Sequence, residues 1–320
     1  MKRPLLAFTA TALAASTLSA CGSSEDAADD GGGIEVVASF YPLEHAAVRV
    51  GGEHVSVTNL TRPGAEAHDV ELTPKDMLGV TRADLLVYLK DFQPAVDDAA
   101  AEAGDAAFDV SRDAHLDLGA SEAGHEGESP EEHAEHAEDG PEGHDHGATD
   151  PHFWLDPIRY ADVADAIAGR LATTDPEHAE DYRANAAAFR EELTVLDKDM
   201  TAGLEDCTHR ELVTSHTAFA YLAEAYDLEQ EGITGLTPES EPSAQDMAAV
   251  VAHITEHDVA TIYTEPLAPR AVAETIAREA GVKVATLDPL EGITDSSAAQ
   301  DYLGVMRANL ATLREGQECR

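Results

Sequence analysis

Between Glu177 and Ala202 the chain contains neither glycine nor proline, and alanine, glutamate, leucine and arginine dominate. Such a stretch predicts one long helix over 176–204. On both sides of it the pattern alternates between short β-branched runs and helical segments. Before it, strands are expected at 34–40, 55–60, 84–90 and 108–111. Helices fall at 43–50, from Pro74 (with Thr73 as N-cap) and at 94–103. An amphipathic helix over 158–171 leads up to the long one. After it, strands at 211–215, 231–235, 259–264 and 282–287 alternate with helices at 218–226, 243–257, 269–280 and 297–313. Strand–helix alternation implies parallel sheets flanked by helices. The expected architecture is therefore α/β: an N-terminal lobe over 34–175, a connecting helix over 176–204 and a C-terminal lobe over 205–320.

One segment departs from this pattern. Residues 121–150 hold five histidines and eleven acidic residues, with no lysine or arginine. The stretch 121–149 reads as a disordered insertion in the first lobe. Its histidines, His125, His133, His136, His144 and His146, offer several weak metal sites without fixed geometry. Two readings stay open: a low-affinity metal collector, or a tolerated surface insertion. The segment runs straight into Asp150-Pro-His-Phe-Trp-Leu-Asp-Pro157, an apolar, proline-bounded context around His152.

The N-terminus sets the compartment. Met1-Lys-Arg-Pro4 precedes a short apolar, alanine-rich run ending at Leu18-Ser19-Ala20-Cys21. Its length and charge layout are those of a secretory signal over 1–20 rather than a membrane span. The ending is similar to a bacterial lipobox, which makes Cys21 the acylated first residue; the alternative is plain cleavage after Ala20. Residues 21–33, rich in Gly, Ser and Asp, then serve as a flexible tether. Against 63 acidic residues stand 20 basic ones, a formal charge of −43. That balance repels nucleic acid. The two remaining cysteines, Cys207 and Cys319, suit a disulfide in an exported chain, with free thiols as the alternative.

Ligands of α/β lobes collect beyond the carboxyl ends of the strands. Four polar residues are expected there: His68, His152, His216 and Asp288, two in each lobe. Three histidines and a carboxylate can fill a tetrahedral zinc site. Four protein ligands leave no open position for activating water, so the site reads as a binding site. No His-Glu-x-x-His pair, Gly-x-Ser-x-Gly elbow or phosphate loop points to an enzyme. Asp288 either ligates directly or stands behind the ligands, with water as the fourth. Glu265 and Asp156 are candidates for orienting the imidazoles. The other histidines, His45, His54, His115, His178, His209, His253 and His257, are expected to be structural or solvent-facing.

The chain resembles the zinc-binding members of the metal-type (cluster A-I) solute-binding proteins of ABC importers, the ZnuA-like lipoproteins. The resemblance rests on Ser39-Phe-Tyr-Pro42, Pro63-Gly-Ala-Glu-Ala-His68 and Asp150-Pro-His-Phe-Trp-Leu-Asp156. It continues through Ser215-His-Thr-Ala-Phe-Ala-Tyr221, Glu265-Pro-Leu267 and Leu287-Asp-Pro-Leu290, in family order. It implies a metal in the interlobe cleft, held at the positions matching His68, His152, His216 and Asp288. It also implies a monomer anchored by its lipid to the outer face of the cell membrane, delivering Zn2+ to a permease driven by an ATPase. Some zinc members carry glutamate directly before the first histidine; Ala67 stands there, so that role is not carried over. Manganese-type relatives usually have glutamate at the position matching His216, and imidazole there favours zinc. The rival readings are a manganese or iron carrier, and a surface adhesin or metal-storage lipoprotein.

Overall fold

The computed structural model describes residues 33–119, 149–236, 238 and 242–320. The signal, Cys21, the tether up to residue 32 and the five histidines of the acidic segment lie outside them.

The first lobe is built from β1 (Ile34–Ala38), α1 (Tyr41–Gly51), β2 (Val55–Asn59), α2 (Pro74–Arg82), β3 (Leu85–Tyr88), α3 (Pro94–Ala103) and β4 (Ala107–Asp109). Its four strands are parallel in the order β2-β1-β3-β4. Capping explains where α2 begins. The Thr73 hydroxyl accepts from the Asp76 amide, and the Asp76 carboxylate accepts from the Thr73 amide in return. Such a box satisfies two otherwise orphaned donors.

The second lobe repeats the plan with β5 (Glu211–Thr214), β6 (Glu229–Gly232), β7 (Thr261–Thr264) and β8 (Lys283–Thr286), again all parallel. The order β6-β5-β7-β8 matches the first sheet position for position. The described helices among them are α6 (Ala220–Ala225), α7 (Ala244–Glu256), α8 (Ala271–Ala280) and α9 (Tyr302–Gly316). In both sheets the strand order reverses beside the first strand, which opens a crevice at the carboxyl ends.

Between the lobes run α4 (Pro157–Thr174) and α5 (Ala179–Leu204). A 3-10 turn over Pro176–His178 precedes α5, so the long helix starts a turn later than its proline suggests. The 26 residues of α5 span about 39 Å at 1.5 Å each. Its buried residues Tyr182, Ala186, Phe189, Leu193, Leu196, Met200 and Leu204 recur every three or four positions, forming one continuous seam. At Gly203 a Cβ would stand 2.8 Å from Leu310 Cδ1 of α9, so this glycine permits the close crossing.

The lobes share one apolar core. Phe40, Trp154 and Tyr160 belong to the same buried cluster as Tyr221, Leu290 and Tyr302. Trp154 Nε1 donates to Pro289 O at 2.7 Å, and Tyr302 Oη donates to Trp154 O at 2.6 Å.

Element ends shift elsewhere too, and three of the shifts have a local reason. Strand β6 lies earlier than 231–235, because its Glu-Gln-Glu run occupies a sheet edge, where apolar alternation is not required. Helix α9 starts at Tyr302 because Asp301 caps it through the Gly304 amide. Helix α6 is shorter than 218–226; Thr217 and Ala218 remain in the loop after β5.

Cys207 and Cys319 form a disulfide across a sequence separation of 112. It ties the end of the chain to the start of the second lobe. Reduction of the intact chain lowers its unfolding free energy by about 2–5 kcal/mol. Urea unfolding with and without reductant reads this, and coincident curves would exclude a contribution.

Candidate metal centre

Four side chains meet where the two lobes face each other: His68, His216 and Glu291 from the loops that follow β2, β5 and β8, and His152 from the turn that leads into α4. His68 stands in the loop after β2. That loop is pinned from behind by Gln93, whose Nε2 donates to Thr61 Oγ1 at 3.0 Å and to Ala67 O at 2.7 Å. Glu66 folds back to accept from the His68 amide at 2.8 Å. The His68 ring rests edge-on against Phe92, with centroids 4.7 Å apart.

His152 and His216 are held by the same device, one in each lobe. Asp150 Oδ1 accepts from the His152 amide at 2.8 Å and from its Nδ1 at 2.7 Å. Glu265 Oε1, one residue beyond β7, accepts from the His216 amide at 3.2 Å and from its Nδ1 at 2.7 Å. With Nδ1 engaged by a carboxylate, Nε2 carries the free lone pair and points where the backbone aims it. Tyr221 Oη of the second lobe also donates to Asp150 O, at 3.1 Å, so the second lobe helps to hold the Asp150 segment in place.

The fourth member is Glu291. Its Oε1 lies 3.3 Å from His152 Nε2, 3.3 Å from His216 Nε2 and 3.6 Å from His68 Nε2. All four ligand atoms fall within 4.8 Å of one another. Every one of these atoms is buried and lacks a hydrogen-bond partner. Buried polar atoms almost always find a partner, and four orphans facing each other need a common one. Bonds of about 2.0–2.1 Å to a tetrahedral ion place its ligands roughly 3.3 Å apart, which is the spacing observed around Glu291.

The charges fit the same reading. Burial alone would lower the pKa of His216, but Glu265 and then Glu291 outweigh it and lift it to about 10. His152 is likewise raised: burial opposes the shift, while Asp150 and Glu291 drive it. Burial would raise Glu291, yet the three imidazoles hold its carboxyl well below the usual range. The imidazoles and the carboxylate thus favour one another's charged forms. Glu66 moves the opposite way, raised by burial and by the negative charge of Glu291.

Of the residues anticipated from sequence, the structure brings His68, His152 and His216 together. Asp288 does not join them, and Glu291 takes that place. The reason is local. Asp288 Oδ1 accepts from the Leu290 amide at 2.9 Å, and the Asp288 amide is bound by Asn309 Oδ1 at 3.0 Å. Leu290 then adopts a left-handed φ of 60°, which turns the chain and carries Glu291 inward. Asp288 lies beside the cavity that opens onto the cluster, whose mouth also includes Glu66, Ser215 and Leu267. Its carboxyl is raised to about 6, first by burial and then by Glu291 and Glu265. Asp156 does not orient an imidazole; it caps α4 through the amides of Ile158 and Arg159. Asp150, which does orient one, sits in the segment singled out above but offered no signal beyond standing two residues from a histidine.

Two matching α/β lobes, closed on a buried cluster of three histidines and one carboxylate, define a two-lobed binding protein with an interlobe metal site. The chain belongs to the ZnuA family, described as zinc-uptake complex component A, periplasmic, whose profile matches residues 36–316. It is 40% identical over 289 residues to the zinc-binding protein AdcA of Streptococcus pyogenes serotype M6, covering 88% of this chain and 56% of that one. The chain thus spans little more than half the length of that relative. It is 34% identical over 307 residues to the high-affinity zinc uptake system protein ZnuA of Bacillus subtilis, covering 93% of both. Among solved structures, the Zn(II)-bound ZnuA-like domain of Streptococcus pneumoniae AdcA superposes with a TM-score of 0.71 at 30% identity, over 89% of this chain and 99% of that one.

Proposed function

We propose that this chain is the extracytoplasmic receptor of an ABC-type zinc importer. It captures Zn2+ through Nε2 of His68, His152 and His216 and Oε1 of Glu291, and hands it to a membrane permease coupled to an ATPase. The observation that carries this reading is the convergence of four buried, otherwise unpartnered ligand atoms. Three imidazoles and one carboxylate suit zinc, whereas carboxylate-rich sets suit manganese. With four protein donors the ion is enclosed rather than offered to a reactant, which fits carriage and not catalysis. Family membership and the names of the zinc-binding relatives point the same way.

Export and anchoring through an acylated Cys21 complete the proposal, with the histidine-rich segment as a weak collector of ions. Native mass spectrometry of the chain, with and without residues 121–149, titrated with zinc against manganese, tests it. One tightly held zinc in both forms, with manganese excluded from that site, is the expected outcome. Displacement of zinc by manganese would overturn the cargo, and loss of the tight ion with the segment would overturn the cleft.

The two carboxylates separate cleanly. Glu291→Gln removes a ligand charge and lowers zinc affinity by at least on the order of a hundredfold. Asp288→Asn leaves the four-ligand set intact, and its effect stays within about tenfold. Chelator competition on both variants measures this; a reversed order would return the fourth ligand to Asp288.

A further inference from the structure

A second group of metal-ligating side chains lies at the other end of the second sheet. Glu211 opens β5 at its amino end, whereas His216 lies beyond its carboxyl end. Five residues of extended chain separate the two, on the order of 15 Å. His253 is in the last turn of α7, and His257 is its C-cap. Their i, i+4 spacing puts both rings on one helix face, the spacing by which a helix offers two imidazoles to one ion.

Glu211 divides its two oxygens between them. Oε2 lies 3.2 Å from His253 Nε2, and Oε1 lies 3.2 Å from His257 Nδ1. The rings are stacked, centroids 4.2 Å apart and planes inclined by 21°. Three ligand atoms, one from each residue, fall within 4.8 Å of one another. An ordinary ion pair explains part of this arrangement, but it needs only one imidazolium. Two stacked imidazoliums 4.2 Å apart repel each other, so a single divalent ion answers the carboxylate and both rings better than two protons do. The α7 carboxyl terminus adds its partial negative charge, and the chain's formal charge of −43 enriches cations at its surface. The carboxylate is well sheltered, with its side chain 14% exposed, while His257 at 43% keeps an approach open.

We propose that Glu211, His253 and His257 form a second divalent-cation site, specific for imidazole-preferring ions such as zinc. Three ligands leave a coordination position to solvent, so the site is weaker than the cleft and exchanges its ion readily. It lies on the face of the lobe away from the cleft, and its filling is independent of the ion held there.

Imidazole-ring NMR of the full chain during a zinc chloride titration near pH 7.5 tests it, with the two rings assigned through His253→Gln and His257→Gln. The His253 and His257 resonances should move together with one midpoint, after the cleft is filled. In Glu211→Gln that midpoint should rise about tenfold or more. The rings of His68, His152 and His216 report the cleft in the same spectra, so failure there is read separately and also shows whether each variant is folded. Rings that stay unmoved, move with separate midpoints, or ignore Glu211→Gln would overturn the second site.

Discussion

Replacing His216 by alanine lowers zinc affinity by roughly two to three orders of magnitude. Structural zinc sites release roughly 10–16 kcal/mol on binding, and four ligands sharing it contribute about 2.5–4 kcal/mol each. His216 is wholly buried. The variant also leaves the buried Glu265 carboxylate without its ring Nδ1 partner. Some loss of thermal stability should therefore accompany the loss of affinity. His216→Gln, which keeps a polar group beside Glu265, separates the two effects: stability recovers while zinc affinity does not. Competition with a chromophoric chelator gives the affinities, and a wild-type value within tenfold for either variant would remove His216 from the ligand set.

Zinc affinity should also climb steeply with pH through neutrality, not merely above the pKa of a free histidine. The sign follows from the raised imidazoles. A pKa lifted above 6.5 keeps its proton to higher pH, and zinc can bind only after that proton leaves. His216, held to about 10, is protonated in the zinc-free site at pH 7.5, and His152 is shifted in the same direction. Glu291 is already a carboxylate and releases nothing. Each displaced proton makes the affinity about tenfold weaker for every unit of pH lost. From pH 7.5 to 5.5 the expected decline is roughly a hundredfold for one proton and ten-thousandfold for two. Calorimetry in buffers of different protonation enthalpy counts the protons directly. A count near zero at pH 7.5 would show that the resting site is not charged as described.

Much of this was readable from the residues. The long unbroken helix and the strand–helix alternation on either side carry the two-lobed architecture, because helical propensity and apolar period act locally. The three histidines were legible for different reasons: His216 stands two residues beyond β5, where the strand ends of a parallel sheet gather, whereas His68 and His152 stand in the proline-bearing runs Pro63-Gly-Ala-Glu-Ala-His68 and Asp150-Pro-His152. Glu291 was not legible. It stands five residues beyond the end of β8, past a leucine in left-handed backbone, and nothing in Asp288-Pro-Leu-Glu announces that turn. The strand-end rule therefore selected Asp288, whose carboxyl oxygen the structure engages with the Leu290 amide instead. Strand β6 escaped for the opposite reason. Its residues are polar because an edge strand buries little, so the apolar signal appeared a few positions late, at Ile233.

The isolated antiparallel bridge between Gly119 and Thr149 has a practical consequence. The chain leaves the first lobe and re-enters it at adjoining points, with paired Cα atoms about 4.5–5.5 Å apart. Any foreign domain whose own termini lie that close could be spliced in at this doorway without stretching the lobe. Because Asp150 follows the doorway directly and grips His152, only Thr149, Asp150 and Pro151 would separate a fluorescent domain grafted there from His152. The lobe thus offers a ready-made port for building a genetically encoded zinc indicator.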